Sequence, residues 1–252
     1  LISGCIDTQK VHISSAIASG YKYMLIVTSD EAKARKMCDD ASFFNKEAIY
    51  YPAKDAIFYS ADVHGNQITG ERLRCISRII NHSSTGEGVL TVVTTMDGIA
   101  DRLIPVERFK EAVITLDYSS EIEPEKLAKK LVAMGFVRTG MVEDKGQFAI
   151  RGGIIDIFSY TDEAPVRIEL WDTEVDSIRM FDVESQRSIE RLQSYSIFPA
   201  TEYIFTEDEL KNGLYNIKEE CDRQLECFDY GKRKRTKEQI EAGNNLNKLV
   251  AD

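Results

Sequence analysis

Hydrophobic and polar positions along this chain follow two different rhythms. Tyr23 to Val27 is a continuous apolar run, the pattern of a strand covered on both faces. Asp30 then stands where a helix N-cap is wanted, and Ala34, Met37, Cys38 and Ala41 recur on one helical stripe. Ala48 to Tyr51 reads as a second strand, stopped by Pro52. The loop from Ala53 to Gln67 carries the aromatics Phe58 and Tyr59. The helix after it is predicted to face Leu73, Ile76 and Ile80 inward and Arg72, Arg74 and Arg78 outward. Gly86 and Gly88 punctuate before a third strand, Val89 to Val93, and a short helix is expected from about Asp97 to Leu103. Strands alternating with helices predict an α/β domain with a parallel sheet over residues 1–112.

After Pro105 the rhythm shortens. Val113 to Leu116 reads as a strand. Pro124 suits a first helical position, Leu127, Leu131 and Met134 share a face, and Gly135 closes the helix. From Phe136 to Phe198 short strands dominate, with turns at Lys145-Gly146 and Asp172-Thr173-Glu174, giving an α+β domain over residues 113–199. Residues 200–252 form a polar, helical segment without a core of its own.

Val166 to Trp171 alternates strictly, so Val166, Ile168 and Leu170 share the buried face while Arg167, Glu169 and Trp171 share the other. Arg151 ends the strand from Gln147 to Ile150, just before the paired glycines Gly152 and Gly153, which mark a bulge or a close backbone approach. Trp and Arg are the residues most enriched at binding hot spots. Arg151, Arg167 and Trp171 are therefore candidate docking residues. Two alternatives stay open: Trp171 packing under a neighbouring element, and the arginines satisfying internal carboxylates such as Asp156 or Asp176.

Composition narrows the function classes. The 252 residues carry a net charge of −10, which repels a phosphate backbone and argues against nonspecific DNA binding by the chain as a whole. One basic run, Lys232 to Lys237, opposes that trend and reads as a solvated helix face, a linker or a nucleic-acid patch. The five cysteines are scattered without a C-x-x-C, and the three histidines have no ligand spacing, so reduced cytoplasmic thiols and no metal site are expected. No apolar run approaches the roughly 20 residues that span a bilayer. The opening Leu1-Ile2-Ser3 shows neither an initiator Met nor a signal peptide and is expected to be a start internal to a longer protein.

Gly4 to Val11, GCIDTQKV, keeps the spacing and the lysine of a phosphate-binding loop, G-x-x-x-x-G-K-[ST]. Gln9 replaces the second glycine and puts a Cβ where backbone must approach a phosphate. Val11 replaces the hydroxyl that would ligate magnesium. Lys10 and a helix expected from Val11 to Ala18 leave weak anion binding open. The nearest imitation of a metal-holding acid is Asp97, after Val92-Val93-Thr94-Thr95-Met96, without a second carboxylate beside it. A divergent ATPase stays open at this point, as does a chance match.

The runs GQFAIRGGIIDIF, PVRIELWDTEVDSIRMFDVESQRS and IFPATEY resemble the UvrB-homology module of the bacterial transcription-repair coupling factors. YYPAKDAIFY, ERLRCI and VVTTMDGIADRLIP extend the likeness through the first domain, from Gly4 to about Phe205. The resemblance implies a degenerate RecA-like α/β domain with an inserted α+β UvrA-binding domain, followed by the start of a return segment into the first domain. It implies UvrA as partner, with the family's contact positions on Arg151, Arg167 and Trp171, the last usually phenylalanine. It also implies that the phosphate loop of UvrB is lost at Gln9 and Val11, so no cofactor is expected here. ATP and magnesium, double-stranded DNA and RNA polymerase are expected only of other domains in the full-length protein.

Overall fold

The computed structural model describes residues 3–45, 47–54, 62–85 and 88–229. Phe58, Tyr59, Gly86 and the basic run Lys232 to Lys237 lie outside the described residues. The chain divides into two compact units, Leu1–Ile204 and Phe205–Asp252.

The first unit opens with α1 (Asp7–Ala18), β1 (Tyr23–Thr28), α2 (Glu31–Phe44), β2 (Ala48–Tyr51), α3 (Asp62–Thr85) and β3 (Leu90–Thr95). The strands form a parallel sheet in the order β1-β3-β2, with Leu25 opposite Val92 and Tyr50 opposite Val93. Asp30 caps α2 as its sequence position predicts, accepting from the Lys33 N–H at 2.8 Å. Val11, Ala34, Met37, Ala41 and Val93 close one small core.

Two expectations need correction. β1 is an edge strand among the described residues, not a strand covered on both faces. Tyr23, Leu25 and Val27 are 42%, 57% and 38% exposed, whereas Leu90 and Val93 of the central β3 are fully buried. An apolar run shows that a strand is hydrophobic; its place in the sheet depends on which strand pairs with it. Arg72, expected outward, is fully buried. It is drawn in by Glu202, 130 residues away, which accepts from its Nε at 2.5 Å and from its Nη2 at 3.1 Å. Its Nη1 donates to the Pro52 carbonyl at 2.7 Å, and its guanidinium lies 4.3 Å from the centre of the Tyr51 ring.

Two short helices, α4 (Met96–Ala100) and α5 (Val106–Ala112), lead into β4 (Ile114–Asp117) and α6 (Pro124–Ala133). Pro124 occupies the first turn of α6, Leu127 and Leu131 are buried, and Gly135 follows at φ +88°. Then come β5 (Val137–Arg138), β6 (Gln147–Arg151), β7 (Ile154–Phe158), β8 (Val166–Trp171), β9 (Glu174–Phe181), β10 (Ser188–Arg191) and β11 (Ser194–Ile197). Six of them form one sheet, β10-β9-β8-β7-β6-β5, antiparallel except for the β5–β6 pair, while β11 pairs with β4. The inner face of the large sheet supplies Phe148, Ile155, Ile157, Val166, Ile168 and Ile178. These pack with Leu127 and Leu131 of α6 and with Leu116, Tyr195 and Ile197 of the strand pair.

Tyr160 packs against this core and also against the cluster of Leu73, Ile80, Phe109 and Phe198. Gly70 and Gly146 allow that bridging position, because a Cβ on either would come within 2.9 Å of the tyrosine side chain.

The second unit contains α7 (Glu207–Asp229). A capping box opens it: the Glu209 N–H donates to Thr206 Oγ1 at 3.2 Å, and Glu209 Oε2 accepts from the Thr206 N–H at 2.9 Å. Among the described residues no helix is long and apolar enough to cross a membrane.

Candidate functional site: the outer face of the large sheet

Side chains alternate across a strand, so the residues that do not enter the inner core gather on one outer face. Two tight turns aim that face. Between β6 and β7, Gly152 adopts φ +61°. A Cβ on Gly153 would lie 2.9 Å from the Leu170 carbonyl oxygen, which explains a glycine there. The Gly153 carbonyl in turn accepts from the Leu170 N–H at 2.8 Å. Between β8 and β9, Asp172 takes φ +59° and Trp171 stands opposite Glu174. The Ile122 N–H donates to the Thr173 carbonyl at 2.7 Å and ties this turn to the α6 entry loop.

Trp171 is 80% exposed. The alternative that it packs under a neighbouring element is thereby removed. The arginines behave differently. Asp156, 1% exposed, lies directly across the ladder from Arg167 and is shared by both guanidinium groups. Arg167 donates from Nε to Asp156 Oδ1 at 2.7 Å, from Nη2 to Oδ2 at 2.9 Å, and from Nη2 to Gln186 Oε1 at 2.8 Å. Its guanidinium lies 4.3 Å from the centre of the Phe181 ring. The hydrogen bonds that Arg167 donates to Asp156 hold its guanidinium above its ordinary pKa, against desolvation. Arg151 donates once, from Nη2 to Asp156 Oδ2 at 2.6 Å. Its side chain is 44% exposed, against 15% for Arg167.

A second pair runs alongside. Arg179 is ion-paired with Glu169, which also accepts from Ser177 Oγ at 2.8 Å. A small cluster of Val142, Ala149, Phe158 and Val183 closes part of the same face. The arrangement can present a large aromatic surface and a partly free guanidinium from one sheet. No acid–base pair or nucleophile stands out on it, and among the described residues no group of three or more His, Cys, Asp or Glu could hold a metal ion.

The other candidate positions lie at the start of the chain. Gly4 adopts φ +82°, but α1 begins at Asp7, four residues earlier than expected, so Gln9, Lys10 and Val11 are helical. Gln9 Oε1 accepts from the Ile6 N–H at 3.3 Å, Lys10 pairs with Asp7 at 3.0 Å, and Val11 is fully buried in the core. Val11 is thus part of the core, while the Lys10 side chain stays 51% exposed beside the first turn of its own helix. Asp97 sits in the first turn of α4, whose cap is Thr95.

Comparison with known families decides what the sheet belongs to. Residues 114–203 match the UvrB interaction domain family. This segment is a UvrB interaction domain. The chain is also 35% identical to the transcription-repair-coupling factor of Bacillus subtilis (strain 168) over 262 residues, covering 99% of the chain and 22% of that relative. It is 34% identical to the factor of Staphylococcus aureus (strain Mu50 / ATCC 700699) over 235 residues, covering 89% of the chain and 20% of that relative. The chain thus spans about a fifth of the length of the curated relatives it matches.

Within the UvrB interaction domain the sequence reading reached Arg151, Arg167 and Trp171 and named Asp156 as an internal carboxylate. It missed Gln186, whose φ of +58° aims its amide at Arg167 from the β9–β10 turn, and Phe181 beneath the guanidinium. The strand parity of Phe181 with Arg179 was a usable signal. The turn conformation of Gln186 was not legible.

Proposed function

We propose that this chain is a recruitment module that docks UvrA through its UvrB interaction domain, helping to link a stalled RNA polymerase to nucleotide excision repair. One observation carries the reading: the single tryptophan of the chain stands 80% exposed at the end of a strand whose sheet also bears a half-free arginine. An exposed indole and a partly free guanidinium on one sheet are the composition of a binding hot spot, since both combine large contact area with directed polar groups. The names of the relatives, transcription-repair-coupling factors, fit that role. The module itself works without catalysis, its first sheet being a RecA-like fold whose phosphate loop has degenerated at Gln9 and Val11. ATP-driven movement on double-stranded DNA and contact with RNA polymerase fall to other parts of a longer protein acting in the cytoplasm.

Titration calorimetry with purified UvrA tests the proposal. Truncation of a central aromatic anchor costs about 2 kcal/mol, about thirtyfold in affinity, so Trp171→Ala is expected to weaken binding by that factor. Unchanged affinity removes the assignment. Magnesium-dependent ATP turnover that disappears in Lys10→Ala would instead favour a divergent ATPase.

A further inference from the structure

Asp156 is an unusual residue for an outward-facing strand position. It is a carboxylate with 1% of its surface exposed, and two cations of very different freedom converge on it. Arg167 is the more committed of the two: three donated hydrogen bonds, a ring beneath it and 15% side-chain exposure. Arg151 donates one hydrogen bond and is 44% exposed. A guanidinium offers five N–H donors, so Arg151 retains a solvent-facing edge that can grip a second acceptor, while Arg167 is largely buried and has three donors committed.

We infer that Asp156 is a positioning residue that holds Arg151 in its docking geometry, and that Arg167 fixes Asp156 from the neighbouring strand. This deepens, and rests on, the UvrA docking reading. The fork of Arg167 locks both carboxylate oxygens, Gln186 locks the fork, and Oδ2 then holds Nη2 of Arg151 in place. Without that hold a long arginine side chain would have to be ordered at the moment of binding, which costs affinity. The same geometry defines the partner surface. Arg151 presents a free guanidinium edge on the sheet that also bears an exposed indole, so the complementary patch carries a carboxylate and an apolar recess that accepts the ring of Trp171.

A double-mutant cycle separates positioning from general support of the fold. UvrA affinity is measured by calorimetry for the wild-type chain, Asp156→Asn, Arg151→Ala and the double variant, with thermal midpoints confirming that each is folded. A residue that works through Arg151 loses its effect once that arginine is gone. Asp156→Asn is therefore expected to weaken binding about tenfold in the wild-type background and less than twofold in the Arg151→Ala background. Equal losses in both backgrounds, or no loss in either, overturn the inference. If Asp156→Asn does not fold, Gln186→Leu loosens the fork without changing any charge and enters the same cycle, with the same non-additivity expected. Trp171→Ala is the control for the underlying reading. If it leaves affinity unchanged, the docking site itself is misplaced; if it weakens binding while the cycle is additive, only the role of Asp156 fails.

Discussion

Replacing Arg72 with methionine should remove a large part of the stability of the first unit. The guanidinium is fully buried, and Glu202, its principal partner, has a side chain only 3% exposed. The substitution keeps an apolar stem against Tyr51 but strands the Glu202 carboxylate and frees the Pro52 carbonyl. Breaking a buried ion pair from one side costs about 3–5 kcal/mol, because the remaining charge stays desolvated. Lys54 lies 2.9 Å from Glu202 Oε2 and is 32% exposed, so it relieves part of that penalty. Asp101 Oδ2, at 3.1 Å from Nη1, also loses its ion pair, but that side chain is 32% exposed and solvent offsets part of the loss. The expected cost is thus at the lower end, about 3 kcal/mol. With a urea dependence near 3 kcal/mol per molar, the unfolding midpoint falls by about 1 M. The assay is urea denaturation followed by far-ultraviolet circular dichroism. Combining Arg72→Met with Glu202→Leu removes the stranded charge and should recover at least half of the loss. A midpoint shift below about 0.3 M in the single variant, or a double variant no better than the single, would refute the account of a buried clasp.

Other expectations follow from single sites. Because Trp171 is 80% exposed and is the only tryptophan, intrinsic fluorescence should be strongly quenched by iodide or acrylamide, and Trp171→Ala should change stability by no more than about 0.5 kcal/mol. Protected fluorescence would contradict the geometry of the β8–β9 turn. Burial raises the carboxyl of Asp162 above its ordinary 3.8, against the opposing hydrogen bond donated by Tyr195 at 2.6 Å. The folded state therefore keeps a proton that the unfolded chain releases. This contribution is complete below pH 3.8 and is lost as pH rises through the raised folded value. Urea midpoints of wild type relative to Asp162→Asn should consequently decline from acid to neutral pH; a constant difference contradicts the assignment.

Much of the local structure was legible in the chain because it depends on neighbours in sequence. The Asp30 cap, the Pro124 start and Gly135 stop of α6, and the inward set Val166, Ile168 and Leu170 are set by backbone chemistry and strand parity within a few residues. Parity also brought Arg167 and Trp171 onto one outer face, and that face is where the structure puts them. Only tertiary structure decided what each outward residue does there. Asp156 turned Arg167 into a fixed brace and left Arg151 partly free, while Trp171 found no neighbour to cover it. The same limit explains Arg72 and β1. A helical period assigns a face but cannot know that a carboxylate 130 residues away will claim the arginine on it, and an apolar run cannot know whether it will end in the middle of a sheet or at its edge. Periodicity is a short-range property, whereas charge pairing and strand order are settled by contacts between distant segments.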